Sequence, residues 1–305
     1  MKNHFRAPQP LRLMRKPLFV VWLGILLLPA PLLPAQPTAP WQALLDANLS
    51  QWDKFIGVPH HTVPLEGVEK GDGMNGTPLG LNRDPLNVFS VEMRDGEPVL
   101  HVSGQIYGGL STKAEFENYH LSVEFKWGER KWEPRLNAKH DSGILYHGQE
   151  PHGQFWNVWL RAPEMQIQEG DCGDFHALAG VAMDVRASRL ARSGPEMWLY
   201  DPAGELRTFQ SGGGRRVRRS VDHEKPNDQW NHVELICLGD KAYHIVNDHV
   251  VMVLENSVEL GPDDTRVPLT RGKIQLQSEG AEVYYRNIRI RSLAALPAAI
   301  AAQVP

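Results

Sequence analysis

Apolar and polar positions along this chain alternate mainly with a period of two. The clearest run is Tyr119–Trp127, in which Tyr119, Leu121, Val123, Phe125 and Trp127 alternate with His120, Ser122, Glu124 and Lys126. Strict alternation places the two sets on opposite faces of a β-strand. Val88–Met93 and Val99–Val102 flank Arg94-Asp95-Gly96-Glu97. Asp-Gly is a strong hairpin signal because a tight two-residue turn needs positive φ angles. Trp230–Leu238 and Ala242–Val246 flank Gly239-Asp240, and Val250–Leu254 follows Asn247-Asp248. Met197–Tyr200 and Leu206–Phe209 flank a turn at Asp201-Pro202-Ala203-Gly204. Ile144–Tyr146, Asn157–Leu160, Met165–Gln168, Gly272–Ser278 and Val283–Arg291 complete the expected strands. Residues 57–87 and 173–195 lack a period and read as loops, and the Ala- and Pro-rich residues 294–305 as a frayed tail. Many short strands between turn signals predict an all-β antiparallel sandwich.

The first residues follow another pattern. Lys2, Arg6, Arg12, Arg15 and Lys16 precede the apolar run Pro17–Leu28, which Pro29 and Pro31 interrupt. A basic start and a short apolar stretch describe a secretory signal over residues 1–35. The apolar run is too short to span a bilayer. The expected protein is therefore exported, periplasmic or extracellular, with no stable membrane span once the signal is cleaved. An uncleaved anchor is the alternative reading. Residues 36–40 read as a linker.

With 305 residues and 42% hydrophobic content, the chain can build one large β domain. A net charge of −4 gives no reason to expect a nucleic acid partner. The basic run Arg215–Arg219 follows Gly212-Gly213-Gly214 and reads as a flexible solvated loop, with binding of an anionic partner as the alternative. Cys172 and Cys237 leave two possibilities open, one disulfide or two free thiols.

Chemistry concentrates in Asp141–Gly148 and Glu164–His176. Glu164, Gln166 and Gln168 alternate with Met165 and Ile167, which puts three polar groups on one face and two apolar ones in a core. Glu169, Asp171 and Asp174 surround two glycines. That oxygen-rich spacing suits a divalent metal ion without matching an EF-hand. Glu124 and Lys126 share a strand face, as a surface ion pair or as part of a sugar-binding face. A serine nucleophile elbow, a P-loop, a dinucleotide fingerprint and a His-Glu-x-x-His zinc motif are all missing. Carboxylate, histidine or lysine acid–base chemistry remains.

Seven short motifs then occur in a set order. They are Leu44–Trp52, Gly109–Thr112, Phe116–Lys126, Asp141–His147, Glu164–Ile167, Trp230-Asn231 with Asn247, and Gly272–Gln277 with Arg286–Ile290. Together they resemble the 3-keto-disaccharide hydrolase family over residues 41–292, leaving 293–305 as a flexible tail. One departure is Asp141, where the family usually has Asn before Ser-Gly-Ile.

The resemblance implies a concanavalin A-like jelly roll acting on glycosides oxidised to a ketone at sugar carbon 3. The ketone acidifies the hydrogen on carbon 2. A base removes it, the aglycone leaves carbon 1, and water adds to the enone. The implied roles are His147 or Glu169 as base, Glu124 or Glu164 as acid, and Lys126 or a metal ion at the enolate oxygen. Tyr146, Gln166, Gln168, His176, Gln275 and Gln277 would contact the sugar, with Trp127, Trp156 or Trp159 stacking on it. Two alternatives stand beside this one. The same fold could be a non-catalytic carbohydrate-binding module, or a glycosidase using two carboxylates such as Glu164 and Glu169.

Overall fold

The computed structural model describes Met1 and residues 39–190, 196–212 and 215–304. The expected signal over 1–35 lies outside these residues apart from Met1. The alternating runs assemble into two antiparallel sheets, of twelve and eight strands, packed face to face. The larger sheet is centred on Tyr119–Lys131, between Asn231–Leu238 and Ala281–Ser292. The smaller sheet is centred on Asp141–Gly148, between Ala162–Gln168 and Lys273–Ser278. The fold is an all-β sandwich of two antiparallel sheets. No helix among the described residues is long and apolar enough to cross a membrane.

The core lies between the sheets. Leu121, Val123, Phe125 and Trp127 from the larger sheet meet Ile144, Tyr146, Met165 and Ile167 from the smaller one, all at most 4% exposed. Polar contacts cross this layer at Tyr146–His244 and at Ser142. The Ser142 hydroxyl lies 2.7 Å from the Tyr285 hydroxyl and donates to the Gln277 carbonyl at 2.7 Å. Buried hydroxyls need such partners, so this contact helps fix how the two sheets face each other. The Asp-Gly hairpin forms as expected, with φ of 53° at Asp95 and 83° at Gly96.

Four expectations need correction. Residues 173–195 contain the strands Phe175–Leu178 and Val181–Arg189. Val181, Met183, Val185 and Ala187 do alternate inward, but the small Ala182 and Ala187 blur the pattern. Asn157–Leu160 is a turn rather than a strand, because Trp156 and Asn157 take φ of 50° and 61°. The tail is docked, not frayed. The helix Ala298–Ala301 seats Ile300 against Ile236, Tyr243 and Ile245 on the outer face of the larger sheet. Finally, Arg215–Arg219 is not a solvated loop. It contains the strand Arg216–Val217, paired to Phe175-His176. Cys172 and Cys237 are free and buried.

Candidate functional site

The site follows from strand register on the outer face of the smaller sheet. Asp141 pairs with Gln168, Gly143 with Gln166, and Leu145 with Glu164. On the far side of Glu164 lies His176, and Gln277 pairs with Gly109. Successive side chains alternate, so Glu164, Gln166, Gln168, Asp141 and Gln277 share one face. Glu279, just past the end of Lys273–Ser278, continues that face.

A sheet face of this kind is ordinarily wet. Here residues 149–161 fold over it. Trp159 donates its indole N–H to the Gly108 carbonyl at 2.9 Å, and the Leu160 amide donates to Gln275 Oε1 at 3.1 Å. Leu145, Val158, Leu160, Leu178 and Tyr107 seal an apolar plug beneath the loop. The polar rows beside it become a cavity of about 140 Å³. Drug-sized pockets begin near ~300 Å³, so this one suits a single ring. Phe155 and Trp156 stack at its mouth, 5.0 Å apart, with Trp159 5.5 Å from Trp156. Trp156 is 37% exposed.

Burial makes the cavity electrostatically unusual. Glu164, pushed up to about 8 by desolvation and then by the charge of Asp141, is protonated at neutral pH. Asp141 is raised to about 7 by burial, against the opposing charge of Arg135. Glu279 is raised by burial and then by Asp141. Arg135 pairs with Asp141 Oδ2 and reaches Glu279 Oε1 at 3.3 Å, while Gln168 Nε2 also donates to Asp141. Those donors make Asp141 the ionised member and leave Glu279 the proton. Burial, then Arg216 and Arg215, holds His176 down near 3, so its ring is neutral. The cavity thus gathers two guanidinium groups, one carboxylate and two carboxylic acids.

Four buried polar atoms of lining residues lack a partner among the described residues: Asp141 Oδ1, Gln277 Oε1, His176 Nε2 and Arg135 Nε. Unpartnered buried groups are uncommon and call for an explanation. Here they converge on one cavity, as a binding site requires.

Residues 40–291 match a sequence family described as the 3-keto-alpha-glucoside-1,2-lyase-like domain. The chain belongs to this family. No curated protein matches the chain. Among solved structures, a Parabacteroides distasonis protein provisionally described as a glycosyl hydrolase is 20% identical with a TM-score of 0.44, covering 83% of this chain and 100% of that one. The β-glucanase of Bacillus licheniformis is 12% identical with a TM-score of 0.37, covering 84% and 99%. The carbohydrate-binding module CBM66 of Bacillus subtilis is 8% identical with a TM-score of 0.38, covering 67% and 92%.

In this family member the cavity collects five of the expected residues: Glu164, Gln166, Gln168, His176 and Gln277. Trp156 and Trp159 join them. Other expected residues lie elsewhere. Glu124 and Lys126 sit on the outer face of the larger sheet, across the whole sandwich from the cavity. There Arg286 and Asn287 bind Glu124, each at 2.7 Å, and Lys126 lies over Trp230. His147 is 2% exposed and packed edge-on against Tyr119 and Tyr146. Its Nδ1 meets the Leu269 carbonyl at 3.1 Å, and burial holds it down near 4. Tyr146 points into the core, toward His244. Gln275 is buried and anchors the covering loop rather than lining the cavity. Trp127 is in the core, as its alternation requires.

Of the metal candidates, Asp171 and Asp174 are committed to cations. Asp174 accepts from Arg216 Nη2 at 2.7 Å and from the Arg219 amide at 2.9 Å. Asp171 accepts from Lys139 at 2.7 Å and Arg218 at 2.5 Å. Glu169 joins His140 at 2.9 Å and Asn227 at 2.9 Å, and the His140 hydrogen bond holds it down near 2. The Asp171 and Asp174 oxygens neutralise arginines and Glu169 ties loops together, and among the described residues the three are not grouped within reach of one ion. Among the described residues, a metal-compatible grouping occurs instead at His232, Glu234 and Asp248, outside the cavity.

Sequence reasoning missed Arg135, Arg215 and Glu279, and gave Asp141 no role. Glu279 had a signal, since Gln275, Gln277 and Glu279 keep the period of two past the strand end. Arg135 lies in an aperiodic stretch and had none.

Proposed function

We propose that this protein cleaves a 3-keto-glycoside by proton abstraction from carbon 2 of the sugar. The observation that carries the reading is a polar cavity that buries the carboxyl groups of Asp141, Glu164 and Glu279 beside two guanidinium groups. General acid–base catalysis needs a pair of such groups titrating near the working pH. Asp141 is the proposed base. Arg135 and Gln168 hold its Oδ2 and leave Oδ1 free. The proton moves from carbon 2 to Asp141, and its electron pair becomes an enolate on the carbon 3 oxygen. Collapse of the enolate expels the aglycone oxygen from carbon 1. Protonated Glu164 gives that oxygen its proton. Water adding across the resulting enone returns a 3-keto sugar and completes hydrolysis. Gln166, Gln277 and neutral His176 supply hydrogen bonds to ring hydroxyls, and Trp156 supplies a stacking surface at the mouth.

The family name describes elimination between carbons 1 and 2, which supports this order of steps. The basic, apolar N-terminal sequence supports an exported enzyme meeting its glycoside outside the cytoplasm. The test offers purified protein matched glycosides with and without the 3-keto group and measures released aglycone. Release from the keto form alone is expected. Equal cleavage of both forms would make Asp141 and Glu164 an ordinary glycosidase pair. Binding without release would make the domain a carbohydrate-binding module.

A further inference from the structure

The chain brings four arginines, Arg215, Arg216, Arg218 and Arg219, to the edge of the cavity in one short segment. Three of them are used. Arg216 forks onto Asp174 through Nε at 3.1 Å and Nη2 at 2.7 Å. Arg218 binds Asp171, and Arg219 binds the Gly170 carbonyl at 2.9 Å and Asp222 at 2.8 Å. Arg215 has no carboxylate partner among the described residues. Its guanidinium lies 5.2 Å from the Phe155 ring centre and 5.7 Å from that of Trp156, and it lines the cavity. Arg135, the other cavity cation, is already occupied by Asp141 and Glu279.

The segment is held on both sides. The Ala177 amide donates to the Arg215 carbonyl at 2.9 Å in the smaller sheet. The Tyr200 amide donates to the Arg218 carbonyl at 2.7 Å, beside the larger one. Asp174 is fully buried and receives both the Arg216 fork and the Arg219 amide. A buried carboxylate left with fewer donors costs several times an ordinary hydrogen bond, so this latch resists slippage. Asp174 also heads the strand that carries His176 into the cavity, so it fixes both groups at once.

We infer that Arg215 binds the enolate oxygen on carbon 3 and that Asp174 is the positioning residue that keeps it there; this rests on the proton-abstraction reading above. An oxygen that gains negative charge only during reaction is best met by a preorganised cation with no other partner. Arg215 is the cavity group in that condition. Asp174 never touches the sugar and acts through the arginine segment.

The experiment uses the full chain carrying Arg215→Gln, Arg215→Lys, Asp174→Asn or Arg216→Lys, the last keeping the Arg216 charge that also lowers Glu164 while breaking its fork on Asp174. The last loosens the latch while leaving Asp174 bonded to Arg219, should Asp174→Asn fail to fold. The first readout is the titration midpoint of Glu164, followed by NMR of glutamate-labelled protein and identified by its loss in Glu164→Gln. Arg215 lowers the Glu164 pKa, so losing or displacing it raises the midpoint. Arg215→Gln and the latch variant are expected to raise it, and Arg215→Lys to leave it near wild type. The second readout is steady-state kinetics on a 3-keto-glucoside. Arg215→Gln is expected to lower kcat by about 10²–10³, the usual cost of one oxyanion donor, with KM little changed. Arg215→Lys recovers part of that loss. An unchanged kcat in Arg215→Gln overturns the enolate role. Folded latch variants with an unmoved Glu164 midpoint overturn the positioning role. A wild-type protein inactive on every keto-glycoside overturns the proposed function, while the midpoint still decides the latch.

Discussion

Glu164 and Gln277 reach toward each other across Gly143, from the strands on either side of it. A Cβ at Gly143 would collide with Glu164 Oε1 and Gln277 Oε1. The bare backbone is what lets an acid and an amide meet over the middle strand. Gly143→Ala is expected to cost little stability, about 1 kcal/mol or less, because the atoms in the way are the ends of flexible side chains that can swing aside. It should also push both side chains into the cavity and abolish sugar binding. Denaturant unfolding and isothermal titration with a 3-keto-glucoside measure the two effects. A variant that binds normally would remove Gly143 from the site.

The rate should follow a bell-shaped pH profile. Asp141 must be ionised, with a raised pKa of about 7, and Glu164 must be protonated, with a pKa of about 8. The optimum is expected between them, in a narrow window. Glu164→Gln should lower kcat by about 10²–10⁴ and remove the alkaline limb. A profile whose alkaline limb survives in Glu164→Gln would assign the acid elsewhere.

Stability carries the same signature with a definite sign. Glu164 binds its proton more tightly folded than unfolded, so its contribution is full below its unfolded pKa. That contribution is lost as pH rises toward about 8. The slope is about 1.4 kcal/mol per pH unit for one proton. His147 and His176 act at the other end. Their lowered values, about 4 and about 3, remove stability as pH falls below the ordinary histidine range. Thermal unfolding of wild type and Glu164→Gln between pH 5 and pH 9 should show the variant losing less stability between pH 5 and pH 8, with the two curves running parallel above that. Curves parallel over the whole range would show that Glu164 is already ionised in the folded protein.

His147 should matter for folding and not for turnover. Its ring fills the space between Tyr119 and Tyr146 and is remote from the cavity. His147→Ala is expected to cost roughly 2–4 kcal/mol by leaving a hole in a packed interior. The folded fraction should keep wild-type kcat. A large kcat loss in fully folded protein would return His147 to the chemistry.

Trp156 offers the opposite case. It is exposed at the cavity mouth, so Trp156→Ala should change stability by about 0.5 kcal/mol or less. Loss of a stacking surface worth about 0.5–1.5 kcal/mol should raise KM by roughly 3–10-fold. An unchanged KM would place the aglycone away from the aromatic mouth.

Alternation made the sandwich legible, and it put Glu164, Gln166 and Gln168 on one face. It did not reveal which sheet a strand joins. Glu124 and Lys126 looked equivalent to Glu164, yet Tyr119–Lys131 belongs to the other sheet, where their face points away from the cavity. Nor did alternation show that residues 149–161 would cover a polar face and turn it into a buried one. That burial raises Glu164 and Asp141, and it depends on contacts far apart in sequence, such as Trp159 with Gly108. The acidic turn at 169–174 was visible by composition. Its purpose was not, because the arginines that neutralise it lie some forty residues later.

The proposed reactive row crosses three adjacent central strands, Ala162–Gln168, Asp141–Gly148 and Lys273–Ser278. Neighbouring strands stand about 4.8 Å apart wherever they pair. Asp141 and Glu164 stand on neighbouring strands, offset by four residues in register, so their backbone separation is set by the sheet lattice, as on a ruler, and not by any loop. Loops at the rim can be exchanged without recalibrating it. A lineage built on this sheet can change what it grips while leaving the geometry of proton transfer untouched.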